Sequence, residues 1–135
     1  MKITEKELVA LAVGAMQKSY SPYSNFAVGA ALECSDGTVY TGCNIENAAF
    51  SPTNCAERTA FFKAVSEGRR DFVRIAVVGG KNGVISSYTS PCGVCRQVMR
   101  EFCGGDFAVL MYDGENIAKT TLADLLPNSF GPDNL

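Results

Sequence analysis

The chain has 135 residues, 47% of them apolar, with eight Phe, five Tyr, no His and a formal net charge of −2. That describes one globular domain over residues 1–135 with a real core, and excludes a disordered chain. Weak, interspersed charge gives no electrostatic basis for binding nucleic acid or an acidic membrane, and no apolar run approaches the roughly 18 residues that span a bilayer.

Thr4-Glu5-Lys6-Glu7 reads as a capping box that opens a first helix, with Leu8, Leu11, Ala12, Ala15 and Met16 on its apolar face. That helix gives way at Ser19-Tyr20-Ser21-Pro22. Residues 26–33 and 38–43 are apolar-rich runs around Cys34-Ser35-Asp36-Gly37, whose Asp-Gly pair signals a hairpin. A polar loop from Asn44 to Asn54 leads to a second helix over about Cys55–Glu67, with Gly68 placed for a left-handed cap.

Phe72–Val78 is a continuous apolar run, as expected of a strand covered on both faces. A Gly-, Ser- and Asn-rich loop follows, and Pro91 is expected to start a third helix that runs to about Phe102. Phe107–Met111 and Ile117–Lys119 read as short strands around Asp113-Gly114. Thr121–Asp124 begins a last short helix, and Pro127–Leu135 is a tail. Helices alternating with several strands imply a layered α/β sandwich.

Met1-Lys2-Ile3-Thr4-Glu5-Lys6 has acidic residues where the apolar core of a secretory leader would follow, so a cytoplasmic, reducing location is expected. The six cysteines are then expected to bind metal or lie buried rather than form a disulfide framework. Cys34, Cys43 and Cys103 fall in apolar settings and read as reduced thiols in or near the core.

Cys55, Cys92 and Cys95 differ. Cys55-Ala56-Glu57 and Pro91-Cys92-Gly93-Val94-Cys95 place three thiols at expected helix starts, where partial positive charge favours thiolate and so favours metal. A structural zinc site is usually closed by four protein ligands, whereas a catalytic one keeps three and leaves room for water. Three thiols with a carboxylate two residues from the first therefore point to an open zinc beside a proton-shuttling Glu57. A guanidinium at Arg58 would offset the excess thiolate charge. Other readings stand beside these. Glu57 could complete an Asn54-x-x-Glu57 capping box, and Arg58 could be a solvated helix charge. Cys92 and Cys95 could be a redox pair, or a fourth cysteine could close a structural zinc.

Asn44-Ile45-Glu46-Asn47-Ala48-Ala49-Phe50, Cys55-Ala56-Glu57-Arg58-Thr59-Ala60 and Ser90-Pro91-Cys92-Gly93-Val94-Cys95-Arg96-Gln97 closely resemble the short, homotetrameric, zinc-dependent cytidine deaminases. The likeness also takes in Ser24-Asn25-Phe26-Ala27-Val28-Gly29-Ala30 and Leu125-Leu126-Pro127-Asn128-Ser129-Phe130-Gly131. It implies a three-layer α/β/α sandwich on a mixed five-stranded sheet, with one Zn²⁺ per chain on Cys55, Cys92 and Cys95. It makes Glu57 the proton shuttle and Arg58 a moderator of the thiolates. Asn44 and Glu46 would hold the ribose 3'-hydroxyl, Phe26 would pack on the pyrimidine and the Ala56 backbone would help hold the base. Phe130 would reach a neighbouring subunit's pocket, so that a homotetramer shares its active sites. Phe50 stands where relatives often have Tyr.

The reaction this implies is hydrolysis of cytidine and 2'-deoxycytidine to uridine and 2'-deoxyuridine with release of ammonia, in pyrimidine salvage. Zinc-bound hydroxide would attack C4 while Glu57 moves protons. The alternatives are a related zinc deaminase acting on another aminated nucleoside, and a non-catalytic zinc-stabilised binding module. Asn44 and Glu46 argue against a free base as substrate, and the lack of a basic strip argues against editing of a nucleic-acid strand.

Overall fold

A computed structural model describes residues 3–135. Its elements are α1 (Glu5–Met16), β1 (Phe26–Cys34), β2 (Val39–Cys43), α2 (Ala56–Ser66), β3 (Phe72–Lys81), α3 (Gly93–Phe102), β4 (Ala108–Tyr112), β5 (Ile117–Thr121) and α4 (Leu122–Leu125), with a 3-10 turn at Pro132–Asn134. The five strands form one sheet in the order β2-β1-β3-β4-β5. β1 pairs antiparallel with both β2 and β3, β3 runs parallel to β4, and β4 is antiparallel to β5, so the sheet is mixed as expected.

The alternation of side chains along each central strand explains the layers. Ala30, Leu32, Ile75, Val77 and Val109 point to one face and join Ala56, Ala60, Phe61, Ala64 and Met99 of α2 and α3. Ala31, Ala76, Val78 and Leu110 point to the other face, against Leu8, Val9, Ala12 and Met16 of α1. This is why Phe72–Val78 reads as a continuous apolar run: both faces of β3 are covered. Phe61 anchors the first layer and meets the rings of Phe72, Phe102 and Phe107 at 5.1, 6.3 and 6.1 Å.

Two glycines let helices approach the sheet more closely than a side chain would allow. A Cβ on Gly29 would stand 2.1 Å from the Ala12 carbonyl oxygen, and one on Gly42 would stand 2.4 Å from that of Ala56. The second contact seats the first turn of α2 directly on the edge strand β2.

Several boundaries differ from expectation. The Thr4–Glu7 capping box is present, but the buried stripe of α1 is Leu8, Val9, Ala12 and Met16, and Leu11 is 43% exposed. The close contact at Gly29 fixes the line through Ala12 and Met16, and Val9 falls on the sheet side of that line. β3 continues past Val78 because Gly79, Gly80 and Lys81 still pair with Val28, Ala27 and Phe26. Glycine carries no hydrophobic signal, so this extension is silent in the sequence. β5 likewise runs to Thr121, opposite Ala108. Pro91 precedes α3 rather than starting it, because Cys92 is the N-cap. Gly68 has φ +95°, the left-handed cap expected there.

Candidate metal centre and substrate cavity

Cys55 and Cys92 are the N-caps of α2 and α3, and neither side chain caps its own helix. Both sulfurs are therefore free to turn outward, and Cys95, one helical turn beyond Cys92, joins them from a buried position. The three sulfurs lie within 4.8 Å of one another. Cys55 Sγ is 3.7 Å from Cys92 Sγ, which is 3.5 Å from Cys95 Sγ. With a Zn–S bond near 2.3 Å, tetrahedral geometry puts two thiolates about 3.8 Å apart, so this donor set fits zinc. Cys34, Cys43 and Cys103 lie outside the cluster, so among the described residues it offers three cysteine ligands and no fourth.

The electrostatics of the cluster favour a thiolate. Hydrogen bonds from the Cys95 thiol and the Arg58 guanidinium bring the Cys55 thiol down to about 5. Cys95 is pushed the opposite way, because its proton is held towards Cys55, its surroundings are buried and Glu57 lies near. Arg58 Nη2 donates to Cys55 Sγ at 3.2 Å, which argues against a merely solvated charge. Glu57 is 4% exposed. Burial pushes its carboxyl up to about 7, with the Cys55 charge adding to the rise. It does not complete a capping box with Asn54: the N-cap is Cys55, and the Asn54 amide donates to Thr59 Oγ1 at 3.2 Å.

The cluster opens into a cavity of about 330 Å³ whose lining includes Phe26, Asn44, Glu46, Cys55, Ala56, Glu57 and Cys92. Seven of the residues singled out in the sequence thus line one space, while Cys95, Arg58 and Phe130 do not line it. Phe26 is 37% exposed at its edge. Asn44 is buried and largely occupied: its Oδ1 accepts from the Ser19 hydroxyl and the Val28 N–H, and its Nδ2 donates to the Phe26 carbonyl. Glu46 accepts from the Tyr23 and Ser24 N–H groups at 2.9 and 3.1 Å and from the Ser24 hydroxyl. The hydrogen bond from Ser24 holds its carboxyl below the usual range.

Phe130 does not line this cavity. It is 60% exposed, and its carbonyl accepts from the Gln97 side chain at 2.8 Å. Phe50 is exposed too, at φ 63°, with its ring edge-on to Tyr23. Ser24, Thr53, Thr89 and Ser90 also line the cavity, and no sequence pattern marks them for a role there. Small polar residues in loops carry no periodic signal, and only the tertiary fold brings them here.

Three thiols on two helix starts, with a buried carboxyl and an open cavity beside them, form a group that can hold a zinc ion. Residues 2–111 match the cytidine and deoxycytidylate deaminase zinc-binding region, and the chain belongs to that family. It is 52% identical over 131 residues to the cytidine deaminase of Sporosarcina psychrophila, covering 96% of this chain and 93% of that one. It is 48% identical over 129 residues to that of Halalkalibacterium halodurans, covering 95% of each. The crystal structure of cytidine deaminase from Burkholderia pseudomallei superposes with a TM-score of 0.87 at 44% identity, covering 95% of this chain and 100% of that one.

Proposed function

We infer that this chain hydrolyses cytidine and 2'-deoxycytidine to uridine and 2'-deoxyuridine, with release of ammonia. The observation that carries the reading is the meeting of the Cys55, Cys92 and Cys95 sulfurs with the buried Glu57 carboxyl in the cavity that also holds Phe26, Asn44 and Glu46. Zinc held by the three sulfurs supplies Lewis acidity that brings the pKa of a water towards neutrality.

Glu57 takes a proton from the attacking water and delivers it to ring N3 as C4 is attacked. It then takes the remaining proton from the new C4 hydroxyl and passes it to the amine, which leaves as ammonia while the C4 carbonyl forms. A buried carboxyl two residues from a zinc-binding sulfur is placed to serve both halves of that task. Arg58 draws charge from the Cys55 sulfur through its hydrogen bond. Phe26 packs on the pyrimidine, and the backbone of Ala56 helps hold the base. Asn44 and Glu46 hold the ribose 3'-hydroxyl, Glu46 through lone pairs left by its contacts with Tyr23 and Ser24. The lining carries the carboxylates of Glu46 and Glu57 and no Lys or Arg. A free nucleoside therefore fits the cavity better than a nucleotide, whose phosphate the carboxylates repel.

Phe130, exposed and outside the lining of its own cavity, completes the site of a neighbouring chain in a homotetramer. The activity belongs to cytoplasmic pyrimidine salvage. No described helix is long and apolar enough to cross a membrane. A closed, non-catalytic zinc module would need a fourth protein ligand, which the cluster does not offer. The test is to mix the zinc-loaded protein with cytidine, 2'-deoxycytidine and deoxycytidylate and to follow ammonia. Release from both nucleosides and little from the nucleotide is expected. Zinc-loaded protein that releases none from cytidine overturns the reading.

A further inference from the structure

Between Lys81 and Gly93 the chain runs without helix or strand, yet its second half brings Thr89, Ser90 and Cys92 to the cavity. No backbone–backbone hydrogen bond ties residues 85–91 to the rest of the described chain, and Pro91 has no N–H to offer. A side chain from the following helix holds this stretch instead. Arg96 donates through Nε to the Pro91 carbonyl at 2.7 Å, through Nη2 to the Ser90 hydroxyl at 2.9 Å and through Nη1 to the Leu125 carbonyl at 2.7 Å. The Leu125 carbonyl ends α4, where helix geometry leaves it without an intrahelical partner. α4 is itself pinned to the core by buried Leu122.

We propose that Arg96 is a positioning residue whose guanidinium ties the Ser90-Pro91-Cys92 segment to the anchored end of α4 and so fixes the Cys92 sulfur opposite Cys55. The inference rests on the reading of Cys92 as a zinc ligand. Three acceptors lying in different directions call for a planar fork of donors, which a guanidinium has and an ammonium lacks. Groups that orient a ligand from outside typically change metal affinity or activity by about 10–100-fold. Here the orientation passes through the backbone just before the ligand rather than through the sulfur.

The experiment measures zinc release from the zinc-loaded protein to a chromogenic chelator, together with kcat and KM. The variants are Arg96→Lys and Arg96→Gln, with Arg100→Gln as control. Arg100 lies one turn further along α3 and bonds to the tail residues Ser129 and Asp133. Both Arg96 variants should release zinc about 10–100-fold faster than wild type, with kcat falling more than KM rises. Arg100→Gln should release it at the wild-type rate. Wild-type release from either folded Arg96 variant, or equal acceleration in Arg100→Gln, overturns the positioning role. If neither Arg96 variant folds, Ser90→Ala, which removes one of the three acceptors, must still speed release for the role to stand. A wild-type protein that holds no zinc sinks the site reading instead, so the two failures are distinguishable.

Discussion

Arg58 Nη2 stands 3.2 Å from the Cys55 sulfur, while the Nε of the same guanidinium is buried without a hydrogen-bond partner. Burying a donor unpaired costs free energy that a surface charge would not incur. The attraction to a thiolate offsets that cost, because a hydrogen bond to a charged sulfur in a low-dielectric site is stronger than one in water.

Removing that guanidinium should leave the three thiolates with uncompensated charge and weaken zinc as a Lewis acid. Arg58→Ala is therefore expected to turn over more slowly, with the acidic limb of its pH–rate profile moved to higher pH. Steady-state rates across pH on zinc-loaded protein test this. An unchanged rate and profile would make Arg58 an ordinary helix charge.

Glu57→Gln keeps the size and helix compatibility of the side chain but cannot carry a proton. Turnover should fall by at least the roughly 10²–10⁴-fold of a lost general acid–base group, with zinc content and fold retained. Elemental analysis and single-turnover kinetics on the same sample separate the two effects, and near-normal turnover would remove Glu57 from the chemistry.

Gly42 tests the seating of α2. An added Cβ would stand 2.4 Å from the Ala56 carbonyl oxygen and 2.6 Å from the Ala60 nitrogen, both backbone atoms that cannot swing aside. Gly42→Ala should cost about 1–3 kcal/mol as overpacking and, by lifting the turn that carries Cys55, weaken zinc binding too. Denaturant unfolding and chelator competition report the two losses. Wild-type values in both would mean that α2 shifts freely on β2.

In the proposed homotetramer, where the exposed Phe130 ring completes a neighbouring chain's site, Phe130→Ala should raise KM for cytidine while zinc stays bound. The sharper measurement mixes inactive Glu57→Gln with Phe130→Ala under conditions that exchange subunits. Activity above either parent is expected, since an intact Glu57 site can borrow the ring from its partner. A fully active Phe130→Ala protein, or an active monomer by sedimentation, would rule out shared sites.

Burial, with a smaller contribution from Asp106, pushes the Cys103 thiol up to about 12. An unfolded thiol titrates near ~8.5. Below that value both states hold the proton and the contribution to stability is complete. Above it the unfolded chain sheds the proton while the folded chain keeps it, so stability falls by up to about 1.4 kcal/mol per pH unit towards pH 12. The buried Cys34 thiol, also raised, acts in the same direction. Urea midpoints from pH 8 upward should decline more gently in Cys103→Ala than in wild type, and parallel curves would show that the thiol does not set the alkaline limit.

The chemistry was more legible than the packing. Cys55-Ala56-Glu57 and Pro91-Cys92-Gly93-Val94-Cys95 are local patterns whose residue types have few other uses together, and the sulfurs meet where that pattern requires. The αL cap at Gly68 and the capping box at Thr4 were readable for the same reason: each depends on residues within one turn. Val9 in place of Leu11 on the buried face was not readable, because the rotation of α1 is set by its contact with Gly29, a residue with no side chain to announce it. The resemblance makes Asn44 a sugar contact, whereas its side chain braces β1 through Val28 and Phe26, a task visible only once the strands are in place. Arg96 looks like any helix charge until the Ser90-Pro91 segment and the end of α4 are seen together.

Cys55 and Cys92 are 37 residues apart in the chain yet 3.7 Å apart at their sulfurs. One ion shared between them is a removable cross-link that closes a long loop, and closing such a loop in advance takes disorder away from the unfolded chain rather than adding contacts to the folded one. Metal that binds the folded chain better than the unfolded one also pulls the equilibrium by mass action. A cell short of zinc would therefore lose this protein twice over, first as idle catalyst and then as substrate for its proteases.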